Sequence, residues 1–239
     1  MKKKTKSNIL LIIIILLGVF PIPIKHVVTV EPTPLEVDTS AIKRPKDIEH
    51  NLIDVSRLNT LIYIDLKYAS TDNFASFQFY PDFAKAMLHK NTAAKLAAAN
   101  NEFESMGYRL KLFDGYRPQF YQKELKDRAL AINKSWGSYI ADPVKGSHHN
   151  RGVAVDVTLT DLEGRELNMP SGYDHFGIEA HINYNGCTEE QKNNRELLAK
   201  VMVKHGFRRI SNEWWHFDDV DFAQYPLLSV PFEDFLKFN

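Results

Sequence analysis

Cysteine is nearly absent from this chain: Cys187 is the only one in 239 residues. A lone cysteine cannot close an internal disulfide, so no disulfide framework holds the fold. No histidine and asparagine pair with it as a nucleophile's partners, so Cys187 reads as a partly buried small apolar residue. A charge excess is absent too. Thirty lysines and arginines balance thirty aspartates and glutamates, which excludes the broadly basic surface that a nucleic-acid partner demands. Internal repeats and low-complexity segments are also missing. What remains, 44% apolar and 25% charged residues, is the composition of a globular protein long enough for one well-packed domain.

The N-terminus departs from that composition. Lys2, Lys3, Lys4 and Lys6 precede an apolar run of about 16 residues from Ile9 to Ile24. A positive patch ahead of such a run is the layout of a signal peptide or membrane anchor (residues 1–24). The positive-inside rule sends the rest of the chain outside the cytoplasmic membrane. Residues 25–50 carry Pro32, Pro34 and Pro45, many charges and no helical period, and read as a linker. The folded domain is expected over 51–239.

Within it, Leu61 to Leu66 and Tyr108 to Phe113 have strand composition. Asn91 to Met106, Gln119 to Asn133 and Glu189 to His205 read as helices, the first stopped by Gly107 and the last by Gly206. Residues 134–146 read as a loop. Gly152 to Leu159 alternates as a strand, and Phe207 to Ile210 should pair with Trp214 to Phe217. Helices and strands in mixed order, without a βαβ rhythm, predict an α+β fold. The expected architecture is a small, mostly antiparallel central sheet flanked by helices.

Two segments carry chemistry. The first runs Ser147-His148-His149-Asn150-Arg151-Gly152-Val153-Ala154-Val155-Asp156, the second Glu213-Trp214-Trp215-His216. Together they offer imidazoles and a carboxylate for a metal, with one carboxylate to spare, and catalytic zinc takes three such ligands. Alternation on a strand turns Val153, Val155 and Val157 to the core and Ala154 and Asp156 to a cleft. Taken singly, Asp156 reads as readily as a paired surface carboxylate, and His216 as a hydrogen-bonded core histidine. The weight lies in both segments occurring with Asp114-Gly115-Tyr116-Arg117-Pro118 upstream. His148 is the alternative ligand to His149. His175, His181 and His205 read as surface or hydrogen-bonded residues.

These residues resemble the D-alanyl-D-alanine dipeptidases, the VanX-type branch of the zinc D-Ala-D-Ala peptidases. The shared pattern Ser-x-His-x-x-Gly-x-Ala-x-Asp falls on Ser147, His149, Gly152, Ala154 and Asp156, and Glu-x-x-His on Glu213 and His216. Tyr68 to Phe74, Asp114 to Pro118 and Met169 to Phe176 extend the likeness over about residues 50–220. The resemblance implies one zinc ion per chain, held by His149, Asp156 and His216. It implies Glu213 as general base and acid, and Arg117 as the group that stabilises the oxyanion. Asp174 and Tyr68, assisted by Ser147, are implied to grip the free amino terminus of a small D,D-dipeptide. Met169-Pro170-Ser171-Gly172 departs from the family's usual Met-Gly and changes the expected pocket floor. The implied activity is hydrolysis of D-Ala-D-Ala outside the cytoplasmic membrane. The alternatives are a D,D- or L,D-carboxypeptidase on peptidoglycan peptides, or a non-catalytic wall-binding relative.

Overall fold

The computed structural model describes residues 51–58 and 60–238. The expected signal or anchor and the linker lie outside these residues. Among the described residues no helix is long and apolar enough to cross a membrane.

Among the described residues, seven strands form two sheets. β1 (Leu52–Asp54) pairs antiparallel with β3 (Met87–His89). The central sheet has five strands in the order β2-β4-β5-β7-β6, where β2 is Tyr63–Ile64, β4 Tyr108–Asp114, β5 Ala154–Asp161, β6 Phe207–Arg209 and β7 His216–Asp219. β2 runs parallel to β4 and every other pairing is antiparallel, so the α+β class and the mostly antiparallel sheet are found. The three expected helices are present as α1 (Lys90–Ser105), α2 (Gln119–Ile132) and α3 (Glu189–Lys204). Thr188 and Gln191 form a reciprocal capping box at the start of α3, satisfying two backbone donors that the first turn leaves free.

Alternation along β5 sorts its side chains. Val155, Val157 and Leu159 join Leu110 and Leu112 of β4, Leu96 and Phe103 of α1, and Leu198 and Met202 of α3 in the main core. A second cluster gathers Tyr68, Tyr80, Tyr116, Tyr121, Leu125 and Phe232 around α2. The site lies on the β5 face that carries Asp156.

Three local expectations shift. The strand expected over Leu61 to Leu66 shrinks to Tyr63–Ile64, and the 134–146 loop opens with a 3-10 turn, Lys134–Ser138. The strand expected over Trp214 to Phe217 runs instead over His216–Asp219. Trp214 and Trp215 are both buried and packed edge to face. Their aromatic content suggested a strand, but core packing decides their backbone.

Candidate active site

Sheet register assembles the site. Asp156 on β5 is the direct cross-strand partner of His216 on β7 and of Asp114 on β4. The even-numbered β4 residues Leu110 and Leu112 point into the main core. A register irregularity between Leu112 and Asp114 breaks the alternation, as a bulge does, and turns Asp114 into the row with Asp156 and His216. His149 comes from the 3-10 turn His149–Arg151 just before β5. Gly152 closes that turn at φ +69°, and a Cβ there would stand 2.6 Å from Leu52 and 3.2 Å from the His89 nitrogen. The bend that delivers His149 therefore favours glycine at 152, where a side chain would be both strained by the backbone and crowded.

His149 Nε2, His216 Nδ1 and Asp156 Oδ1 face one another. The separations are 3.2 Å between the two nitrogens, 3.0 Å from His216 to Asp156 and 3.4 Å from His149 to Asp156. A tetrahedral zinc with bonds of ~2.0–2.1 Å sets its ligand atoms roughly 3.3–3.4 Å apart, so these atoms sit close to the edges of such a tetrahedron. The outer nitrogens are also engaged. His149 Nδ1 lies 2.7 Å from the Gly115 carbonyl oxygen, and His216 Nε2 lies 2.9 Å from Asp218 Oδ1. Both partners are acceptors, so a ring in its neutral, metal-binding form would carry its proton outward and turn a lone pair inward. Two nitrogen lone pairs and a carboxylate oxygen at these distances fit a divalent cation. Among the described residues, this group meets the spacing expected of metal-binding side chains.

The electrostatics agree. Burial alone would raise Asp156, but the charges and hydrogen bonds of His149 and His216 win and hold it far below the usual carboxylate range. Burial alone would lower His216, but its bonds to Asp156 and Asp218 push it up to about 10. Without a metal the cluster therefore favours a proton on His216, the positive charge that a bound cation would replace.

Glu213 lies in the turn before β7, its Oε2 3.9 Å from His216 Nδ1. Burial raises its carboxyl to about 7, with Asp156 adding repulsion and His216 opposing. That value suits a group that must both take and give a proton near neutrality. Arg117 is buried, and burial opposes its charge. The Asp114 carboxylate outweighs this and keeps it firmly protonated. Its Nε and Nη2 donate to Asp114 Oδ2 at 3.0 and 2.6 Å, and Nη1 donates to Gln122 Oε1 at 2.9 Å.

Asp174 sits in the left-handed region at φ +57°, a conformation Asp and Asn tolerate better than other side-chain-bearing residues. It accepts from the Tyr68 hydroxyl at 3.0 Å. Burial, then repulsion from Asp156, raises its carboxyl well above the usual range. Ser147 Oγ is buried without a hydrogen-bond partner. All eight residues proposed from sequence line one cavity of about 280 Å³, at the small end of the range for ligand sites. A larger cavity of about 550 Å³, lined by Lys67, Thr158 and Tyr173 among others, contains none of the three candidate ligands.

His148 is not part of the cluster: its Nδ1 lies 2.6 Å from Asp218 Oδ1. His175 pairs with Glu179 and His205 with Glu102, both away from the site. Sequence reasoning missed Asp114, Gln122, Tyr173 and Asp218. Tyr173 donates to Asp156 Oδ2 at 3.1 Å, so its hydroxyl fixes the carboxylate oxygen that faces away from the histidines. Tyr173→Phe is expected to weaken zinc binding roughly 10-fold, the worth of about one hydrogen bond to a charged group (~1.5 kcal/mol), as read by chelator competition.

The chain is similar to proteins of one known family. Residues 48–237 match the family Peptidase M15, described as D-ala-D-ala dipeptidase. The chain is 34% identical over 186 residues to a D-alanyl-D-alanine dipeptidase of Escherichia coli (strain K12), covering 78% of this chain and 93% of that protein. It is 31% identical over 180 residues to one from Enterococcus faecalis (strain ATCC 700802 / V583), covering 66% of this chain and 85% of that one. The solved vancomycin resistance D,D-dipeptidase VanXYg in complex with a D-Ala-D-Ala phosphinate analog aligns at 19% identity and a TM-score of 0.38. That alignment covers 64% of this chain and 59% of the other.

Proposed function

The chain belongs to the D-ala-D-ala dipeptidase family of metallopeptidases, and from that premise we propose that it hydrolyses D-alanyl-D-alanine to D-alanine with one zinc ion, outside the cytoplasmic membrane. The observation that carries the reading is the near-tetrahedral spacing of His149 Nε2, His216 Nδ1 and Asp156 Oδ1 with the Glu213 carboxylate at its edge. The lysine-led apolar run at the N-terminus supports export.

His149, Asp156 and His216 would hold the zinc. Bound there, it would supply Lewis-acid chemistry to the scissile carbonyl and to water. Glu213 removes the proton from the attacking water. The oxygen adds to the carbonyl carbon, and negative charge grows on the carbonyl oxygen. Arg117 faces that charge, held in place by Asp114 and Gln122 so that it needs no reorganisation as the charge develops. Glu213 then gives its proton to the departing amine, the C–N bond breaks, and the carboxyl is regenerated as carboxylate.

Asp174 and Tyr68 select the substrate. A buried carboxylate gains most from a cationic partner, and the dipeptide's ammonium is that partner. Ser147 Oγ offers a hydroxyl that the protein itself leaves unpaired. Asp174→Asn keeps a residue type that tolerates the left-handed backbone but removes the charge. It should raise KM for D-Ala-D-Ala roughly 10- to 100-fold, the worth of about 1.5–3 kcal/mol for a charged hydrogen bond. The direct test supplies D-Ala-D-Ala, its N-acetyl derivative and a longer muramyl peptide ending in D-Ala-D-Ala. Free dipeptide alone should release D-alanine efficiently. Preference for the blocked or longer substrate would instead make the protein a carboxypeptidase.

A further inference from the structure

The two imidazoles of the cluster are supported differently. His149 leans on a backbone carbonyl, that of Gly115, whereas His216 leans on a side chain. We propose that Asp218 is a positioning residue for the metal centre: its carboxylate fixes the His216 ring with Nδ1 presented to the cation and ties that ring to the rim of the cavity through His148 and Arg208. The inference rests on the metal-site reading above and extends it.

Asp218 stands two residues beyond His216 on β7, so the two side chains share a face of the strand. Directly across on β5 is Ala154, whose small side chain leaves room for the carboxylate. Asp218 is 1% exposed, and a buried carboxylate needs all its acceptor sites engaged. They are. Oδ1 accepts from His216 Nε2 at 2.9 Å and His148 Nδ1 at 2.6 Å, and Oδ2 from Arg208 Nε at 3.2 Å and Nη2 at 3.0 Å. The Phe222 ring packs against both outer donors, 4.1 Å from the His148 ring centroid and 4.1 Å from the Arg208 guanidinium carbon. The carboxylate is therefore held from outside while it holds His216 from behind.

This has a chemical consequence. A neutral imidazole has one N–H, and an anionic acceptor at Nε2 keeps that proton away from Nδ1. The same contact makes Nδ1 a stronger donor to a metal and stops the ring from turning about its long axis. Without Asp218 the ring is free to place its proton on either nitrogen, and one arrangement cannot bind.

The test is zinc affinity, by competition with a chromogenic chelator, together with the visible spectrum of the cobalt-substituted protein. Asp218→Ala should bind zinc roughly 10- to 100-fold more weakly, the range for loss of such an outer partner, with an altered cobalt spectrum. Asp218→Asn should lose less, because its amide oxygen can still accept from Nε2. At saturating zinc, kcat should fall while KM for the dipeptide holds, since the proposed substrate anchors lie elsewhere. Asp218→Asn keeps the test decisive if Asp218→Ala does not fold, and thermal melting of both isolates the structural contribution. Wild-type zinc affinity and an unchanged cobalt spectrum in the folded variants would overturn the inference alone. A wild-type protein that binds no zinc would overturn the metal-site reading and this inference with it.

Discussion

Glu213→Gln is expected to retain a full equivalent of zinc and to lose roughly 10²- to 10⁴-fold in kcat, the usual worth of a general base. The two effects separate because Glu213 borders the His149, Asp156 and His216 cluster without belonging to it. Its nearest oxygen is 3.9 Å from His216 Nδ1, and glutamine differs from glutamate by only an oxygen-to-nitrogen exchange. The pH profile sharpens the expectation. Burial places the Glu213 carboxyl at about 7, and only the ionised form accepts a proton, so activity declines as pH falls through the carboxyl's pKa. A cation in the neighbouring cluster favours the carboxylate, so the acid limb of kcat/KM in the zinc enzyme should lie below pH 7. Metal analysis and D-alanine release on the same preparation check both parts. Full activity in Glu213→Gln would remove this residue from the chemistry.

Arg117→Ala carries the second large expectation, and it acts on two properties at once. Removing one preorganised donor from a developing oxyanion costs roughly 10²- to 10³-fold in kcat. Removing the partner of a buried charge also destabilises the fold. Asp114 has no exposed surface, and without Arg117 it keeps the Tyr80 hydroxyl and the Gly115 amide as hydrogen-bond donors and the His149 ring 3.8 Å away. Breaking a buried ion pair from one side costs about 3–5 kcal/mol, and at about 2–4 °C per kcal/mol for a domain of this size the melting temperature should drop by roughly 6–20 °C. Arg117→Lys separates the two properties. It restores a charge beside Asp114, yet an ammonium cannot reproduce the fork to Asp114 and Gln122, so stability should recover further than kcat. Steady-state kinetics and thermal melting read the two losses independently.

The parts of this site that were legible in the sequence are those that local rules determine. Alternation along Gly152 to Leu159 placed Asp156 opposite the core-facing valines, and the structure keeps that face. The helices were legible from composition because each exceeds three turns. What local rules could not reach was set by partners distant in sequence. Asp114 faces the cluster because of an irregularity opposite β5, which a reading of β4 by itself cannot show. Tyr173 reaches Asp156 from a segment without regular structure, where no periodicity aims a side chain. β1 and β3, three residues each, depend on pairing with each other, and their sequences are too short to carry a period. Asp218 was within reach. Two residues past His216 on a strand it had to share that face, but the strand had been expected to end at Phe217, and the actual strand begins at His216 and continues through Asp219.

On the proposed reading, His149, Asp156 and His216 hold a zinc ion that cleavage of a free D,D-dipeptide requires. The most direct measurement follows D-alanine release from D-Ala-D-Ala as metal is stripped from the purified protein and returned one equivalent at a time. The expected result is one zinc per chain, loss of release on stripping, and full recovery at one equivalent of zinc. Undiminished D-alanine release from the metal-free protein would contradict it.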